Sequence, residues 1–385
     1  MNKLLMVTTV PSTLRSFLLP FAAHFRSQGW QVDAMACGVS AAAECQAGFD
    51  RVWEVQWSRN PLDPRNLLAA PQIIRELVSR EQYQIVHVHT PVAAFVTRYA
   101  LKDIRHHLET SVIYTAHGFH FHPGGNSVKN AVFLNLEKLA GNWTDYLVTI
   151  NYQDKQAAIA HRLLPPDRCR YMPGIGVDLG YYNREAVPDA AVTQVRKELG
   201  IEPDSQLLLS VAEFTPRKRH VDAIAAFAKL ARSDVHLAFA GSGPLMDSMQ
   251  QLADRLGVAD RIHFLGNRQD IPVLMKAASA NILVSEQEGL PRSILESLAL
   301  GTPTIGTKIR GTQDLLLDGC GLLVDVGNVD GLAAAMTWVL DRPEEAAKMS
   351  KLGSKRISTY NLDAIVRLHE QLYAEAVKEG IGNRE

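Results

Sequence analysis

The chain has 385 residues, 46% hydrophobic and 21% charged, long enough for two or three domains and ordinary in composition for a soluble globular protein. Lys+Arg (40) nearly cancels Asp+Glu (41), so overall charge gives no reason to expect a nucleic-acid partner. No stretch resembles the ~18 apolar residues of a membrane span. The four cysteines, Cys37, Cys45, Cys169 and Cys320, have neither zinc-ligand nor redox spacing, which points to free thiols in a reducing compartment.

The opening MNKLLMVTTVPS is too short for a secretory signal and reads as a first buried strand. The expected location is therefore cytoplasmic, with room for peripheral contact at the inner membrane face. Further strand-like runs fall at residues 32–36, 52–55, 85–89, 112–115 and 147–150, separated by helical patterns at 14–28, 67–79, 93–106 and 128–141. Residues 164–183, LPPDRCRYMPGIGVDLGYYN, are dense in Pro and Gly and read as a linker. A second series follows. Its strands are 207–211, 236–240, 262–265, 282–285, 304–306 and 321–324, and its helices include 221–231, 244–256, 291–300 and 329–340. Helical stretches at 344–359 and 362–378 close the chain.

Strand–helix alternation of this kind predicts an α/β fold with parallel sheets. Two doubly wound Rossmann-like domains are expected, 1–175 and 176–359, facing a central cleft at the carboxyl ends of their strands, where such sheets bind ligands.

The stretch EQEGLPRSILESLALGTP (286–303) places Glu288 on a Gly/Pro turn and Glu296 inside the helix that follows. Pro291 suits the first helical turn, since its missing N–H needs no partner there. Glu296 lies five residues on, about 7–8 Å along the axis, on a face with Arg292 and Ser293. The helix N-terminus between the two acids is an anion site, and an acid on the helix flank can accept sugar hydroxyls. Spacing alone equally fits a helix-capping Glu288 and a solvated Glu296.

The same stretch, E-G-L-P-x-S-I-L-E followed by S-L-A-L-G-T-P-T-I, resembles the signature of the retaining glycosyltransferases of family 4, which have the two-domain GT-B architecture. The resemblance covers most of the chain and is strongest from about residue 210 to 325. It implies that Glu288 contacts the transferred sugar and Glu296 the ribose of a nucleotide. SVAEFTPRKRH (210–220) resembles the loop that clamps the diphosphate, with Lys218 as the family lysine, helped by Arg217. The family's Gly-Arg pair is here Ala212-Glu213, a departure that leaves Lys218 as the main clamp. Arg217, Lys218 and Arg219 also fit a solvated basic turn. IHFLGNRQDIPVLMKAA (262–278) resembles the loop that holds the base, placing Asn267 and Arg268 beside it; the same loop also reads as a helix entry capped by Asp270. The GxG of AGSGP (240–244) is weak by itself. YTAHGFHFHPGG (114–125) resembles the loop whose histidine reaches the donor sugar, a role that falls on His117. Three histidines within six residues also raise a metal site, but no second cluster of ligands lies nearby in sequence. His87 and His89 in IVHVHTP (85–91) are expected to divide between core and cleft. The turn TTVPSTLRSF (8–17) lacks the Gly-rich loop of many family members.

The resemblance implies a metal-independent hexosyltransferase with no cofactor. A nucleotide sugar, most simply a UDP-sugar such as UDP-glucose, donates to a saccharide or lipid-linked saccharide acceptor. RGTQDLL (310–316) and HGFHFH are most similar to members that build bacterial exopolysaccharide. Lys218 and the backbone at Gly289, Leu290 and Pro291 would receive the diphosphate, and Glu288 and His117 would orient the sugar. The closing segment 360–385 is expected to pack back on the first domain. Residues 14–30 are amphipathic, a pattern of core packing that also fits contact with a membrane surface. A UDP-N-acetylglucosamine 2-epimerase and a non-catalytic nucleotide-sugar-binding subunit remain alternatives. GIGVDLG (174–180) does not support a nicotinamide site, because it lies in the linker and not between a strand and a helix.

Overall fold

The structure, a computed structural model, describes residues 1–57, 63–122 and 124–382. Pro123 of the histidine-rich loop and Asn383–Glu385 of the closing segment lie outside the described residues. The chain divides into two compact units, Met1–Ile175 together with the segment from Asp363 onward, and Gly176–Leu362.

The first unit is built on seven strands: β1 (Lys3–Val7), β2 (Gln31–Ala36), β3 (Arg51–Glu54), β4 (Ile85–Val88), β5 (Ser111–Ala116), β6 (Tyr146–Thr149) and β7 (Cys169–Tyr171). All pair in parallel, in the order β3-β2-β1-β4-β5-β6-β7. β2 and β5 are buried at every residue, as expected of strands covered on both faces. The helix Leu362–Gly382 packs here: the Phe25 and Tyr373 ring centroids lie 4.8 Å apart, tilted by 35°, and Ser111 Oγ donates to the Ala376 carbonyl at 2.9 Å.

The second unit has six strands: β8 (Gln206–Val211), β9 (Val235–Ala240), β10 (Ile262–Phe264), β11 (Ala280–Leu283), β12 (Thr304–Thr307) and β13 (Leu322–Val324). They too are parallel, ordered β10-β9-β8-β11-β12-β13. Successive side chains of a strand point to opposite faces. Leu208 accordingly joins one core with Phe227 and Phe239, while Leu207 and Leu209 join another with Leu295 and Leu298. Fully burying each such leucine contributes about 1.5–3 kcal/mol.

Three local readings of the sequence change. The linker stretch contains β7, an edge strand paired to β6 from Leu147↔Cys169 to Thr149↔Tyr171. It was hidden because three paired residues between Pro/Gly segments give no periodicity. The single helix expected at 14–28 is instead a wide π turn, Leu14–Leu18, followed by Leu19–Ser27. Pro20 in the first turn of the second piece lacks the N–H needed to continue the ladder. Leu14, Leu18, Phe21 and Phe25 are all buried, so most of the apolar face of this stretch serves the core, while Phe17 and Trp30 are half-buried.

Candidate active site

In the second unit the strand order reverses between β8 and β11, the position at which open parallel sheets receive ligands. The loop after β8 ends in the short turn Pro216–Lys218; the loop after β11 leads through Glu288 to the helix Arg292–Ala299. Lys218 Nζ donates to Glu288 Oε1 at 2.5 Å, with the two side chains only 16% and 10% exposed. The Glu286 N–H donates to the Arg217 carbonyl at 2.9 Å, tying the loops side by side. Arg219 is held by Asp222 at 2.6 and 3.0 Å, and Arg217 is exposed. A solvated basic turn thus describes Arg217 and not Lys218. Glu213, in the position of the family arginine, is exposed.

Glu296 is 5% exposed. Arg292 Nε donates to its Oε1 at 2.7 Å, and the Tyr182 hydroxyl also bonds it. Burial pushes the Glu296 carboxyl above its ordinary value, while Arg292 and Tyr182 pull it back. Buried ion pairs are a poor means of stabilisation, because desolvation offsets the attraction. A carboxylate held this way beside a helix start is better explained as a binding group. The helix begins one residue later than the sequence implies, with Pro291 as N-cap and no side-chain cap. Glu288 therefore does not cap it, and the first-turn N–H groups keep the positive end of the helix dipole available to an anion.

Three further loops of the second unit are tied to one another by hydrogen bonds. The Phe214 N–H donates to the Ser242 carbonyl at 3.0 Å, the Gly241 N–H donates to the Gly266 carbonyl at 2.7 Å, and Ser242 Oγ donates to Asn267 Oδ1 at 3.1 Å. Gly241, at φ +153°, is required: a β-carbon there would lie 2.0 Å from the Ala212 carbonyl. Asp270 sits at the N-cap of Ile271–Ala277 but does not cap it. Its carboxylate pairs with Arg268 at 2.8 and 2.7 Å, and Glu198 takes a further guanidinium hydrogen at 2.9 Å. Arg268 is thus bound by two acids, whereas Asn267 is exposed.

In the first unit the order reverses between β1 and β4, and histidines gather at the ends of β4 and β5. His89 Nδ1 and His117 Nε2 are hydrogen-bonded at 3.3 Å; His87 bonds the Tyr373 hydroxyl at 2.5 Å and Thr115 Oγ1 at 2.7 Å. His87 and His89 do not divide between two surroundings. Two residues apart on a strand, they share a face, with ring centroids 4.1 Å apart, and both are buried. Burial, with repulsion from His369, depresses His117 to about 4, so its ring is neutral at physiological pH. Among the described residues, no group of three or more His, Cys, Asp or Glu is arranged to hold a metal ion. His120 instead packs its ring 5.1 Å from Phe133.

Residues 16–180 match the family described as Glycosyltransferase Family 4, and residues 192–356 match Glycosyl transferases group 1. EpsD of Bacillus subtilis (strain 168), named as a glycosyltransferase, is 31% identical over 357 residues, 92% of this chain and 91% of its own. The chain belongs to the family 4 glycosyltransferases. Members are retaining transferases that use nucleotide sugars. The UDP-Gal:alpha-D-GlcNAc-diphosphoundecaprenol alpha-1,3-galactosyltransferase of Escherichia coli is 26% identical over 312 residues, 78% of each chain. The fold matches that of Anabaena Alr3699/HepE, solved with UDP and glucose, with a TM-score of 0.81 and 18% identity over 97% of this chain and 100% of the other. These are GT-B structures.

The structure brings Lys218 and Glu288 into direct contact and buries Glu296, eight residues after Glu288. Two groups escaped the sequence reading. Arg310, 8% exposed, donates from Nε to the Glu288 carbonyl at 3.3 Å. Gly311, at φ +73°, lies so close that a β-carbon would fall 2.0 Å from the Gly289 carbonyl. The only sequence signal was the Arg-Gly pair itself. Gly311→Ala must displace the Glu288 loop, because the opposing atom is backbone. We expect a folded protein destabilised by about 1–3 kcal/mol, with turnover reduced more than UDP affinity. Chemical denaturation and a rate assay check this.

Proposed function

We propose that the protein transfers a hexose from a UDP-sugar, with UDP-glucose the simplest candidate, to a saccharide or lipid-linked saccharide in exopolysaccharide assembly. The observation that carries this reading is the Lys218–Glu288 pair at the β8/β11 reversal, next to an uncapped helix start. Lys218 and the N–H groups near Gly289, Leu290 and Pro291 receive the diphosphate, with Arg217 at the rim. Glu296 accepts ribose hydroxyls, and Asn267 and Arg268 lie beside the base. Glu288 orients the sugar.

In the reaction the bond from the anomeric carbon to the diphosphate oxygen breaks and its electron pair leaves with UDP. The acceptor oxygen bonds the anomeric carbon on the departing face, and its proton passes to the leaving phosphate. Lys218 and the helix start stabilise the charge that develops there. Glu288 is held by Lys218, which suits an electrostatic role rather than a covalent nucleophile. The relative that acts on a diphosphoundecaprenol acceptor supports the lipid-linked alternative, which implies work at the cytoplasmic face of a membrane. The UDP and glucose in the Anabaena structure support the donor.

Incubation with a panel of UDP-sugars, with and without saccharide acceptors, tests this. The expected result is UDP release and an acceptor-linked product of unchanged anomeric configuration, retained after EDTA treatment. Epimer formed from UDP-N-acetylglucosamine alone, or no turnover with any donor, would overturn it.

A further inference from the structure

The helix Ser127–Gly141, which follows the histidine loop of the first unit, is fixed on one side and unused on the other. Its inward face is anchored through Glu137, which accepts from Arg98 Nη2 at 3.0 Å and from the Tyr114 hydroxyl at 3.2 Å. It is also anchored through Gly141, where a β-carbon would fall 2.1 Å from the Leu163 carbonyl. Its outward face carries Val128, Val132, Leu136 and Leu139, which are 70%, 52%, 39% and 46% exposed. The spacing of four, four and three residues sets them in one line about 16 Å long. Isolated exposed apolar side chains are common on any surface, but a continuous line of them along one helix is not.

The outward charges of the helix itself have one sign. At about 100° per residue, Lys129 and Lys138 project on either side of it, and both are exposed. Glu137, the one carboxylate in the helix, is turned inward. Beside the C-terminal end, Lys102 Nζ lies 4.6 Å from the Tyr99 ring centroid and 5.9 Å from that of Trp143. Apolar side chains flanked by lysines, with Tyr and Trp at the margin, form the pattern of a helix lying in a membrane interface. A second copy fits less well, since pairing this face with itself brings like-charged lysines together with no outward acid on the helix to compensate.

We propose that the outward face of the helix Ser127–Gly141 docks the protein on an anionic lipid surface. This deepens the proposed function and rests on its lipid-linked acceptor. The docking surface is a different one from residues 14–30, whose apolar side chains are largely in the core. The helix stays folded on its own unit, and only side chains enter the headgroup region. No helix among the described residues is long and apolar enough to cross a membrane, so attachment here is peripheral and reversible by salt.

Co-sedimentation of the full chain with phosphatidylglycerol-containing vesicles and with pure phosphatidylcholine vesicles tests this. Wild type is expected to pellet with the anionic vesicles at low salt and to be released at high salt. Lys129→Gln/Lys138→Gln should lower partition about 30-fold on anionic vesicles, at about fivefold per lysine, and Val132→Asp/Leu136→Asp should remove it. Both variants should keep the wild-type melting curve and UDP affinity. Wild type left in the supernatant, or variants that pellet like wild type, would overturn the proposal. A dimer in sedimentation velocity that Val132→Asp/Leu136→Asp dissociates, without vesicle binding, would assign the face to a second copy and overturn it as well. Vesicle binding is read without turnover. Binding without transfer from any donor would leave the docking intact and remove the transferase reading; transfer without binding would do the reverse.

Discussion

Glu288→Gln should lower turnover about 10²–10³-fold while UDP binds at least as tightly as to wild type. The two effects come from one contact. Lys218 is hydrogen-bonded to Glu288 at 2.5 Å in a mostly buried setting, so the carboxylate and an incoming diphosphate compete for the same ammonium. Gln keeps the shape and the acceptor oxygen but removes the competing charge. UDP affinity is then unchanged or a few-fold higher. Turnover falls because a positioned negative charge at the sugar stabilises the positive charge of an oxocarbenium-like transition state, and an amide does not. Calorimetry with UDP and a donor-hydrolysis assay separate the two quantities. Turnover within tenfold of wild type would move the sugar-side group away from Glu288. A large loss of UDP affinity would mean that the carboxylate organises the phosphate loop rather than the reaction.

Mild acid should destabilise the first unit. His117 and His369 are depressed to about 4 by burial, and His87 and His89 are pushed well below their ordinary value for the same reason. Among the described residues, the hydrogen-bond partners of these rings are the Tyr373 hydroxyl, Thr115 Oγ1, the Ile365 carbonyl and one another, with no carboxylate to support a cation. The unfolded chain takes up these protons below about pH 6.5, and the folded chain does not. Stability is therefore full above pH 6.5 and falls as pH drops toward 4. Each histidine that protonates only on unfolding contributes a slope of about 1.4 kcal/mol per pH unit. Four of the five tryptophans, Trp30, Trp53, Trp57 and Trp143, lie in the first unit, so tryptophan fluorescence reports mainly on it. Its melting temperature should drop steeply between pH 7 and pH 5, and less so in His369→Gln. A flat profile over that interval would show that the rings already find protons in the folded state.

Much of the fold could be read from the sequence because its strands are buried on both faces. Such strands appear as short continuous apolar runs, and the helices between them keep their own period. The readings that failed lie where local chemistry carries no period. β7 is three residues long at a sheet edge, and Pro20 divides one apolar pattern into two helical pieces. The candidate site was legible in Glu288, Glu296 and Lys218, because the family motif fixes their spacing. It was not legible in Arg310, Gly311 or Tyr182. These residues touch the motif only through the fold, across 22 residues in the case of Arg310 and from within the supposed linker in the case of Tyr182. Burial of Glu296 was equally invisible, since the helical pattern set it on a face with Arg292 and Ser293 without saying what covered it.

The second unit is expected to hold a uridine nucleotide, with Glu296 as its ribose ligand. The most direct measurement is a calorimetric titration of UDP into wild type and Glu296→Gln, with matched melting curves to establish that the variant is folded. A hydrogen bond to a charged group is worth roughly 1.5–3 kcal/mol, so the variant should bind UDP roughly 10- to 150-fold more weakly. Equal UDP affinity in the two proteins, or no UDP binding to wild type, would contradict the account.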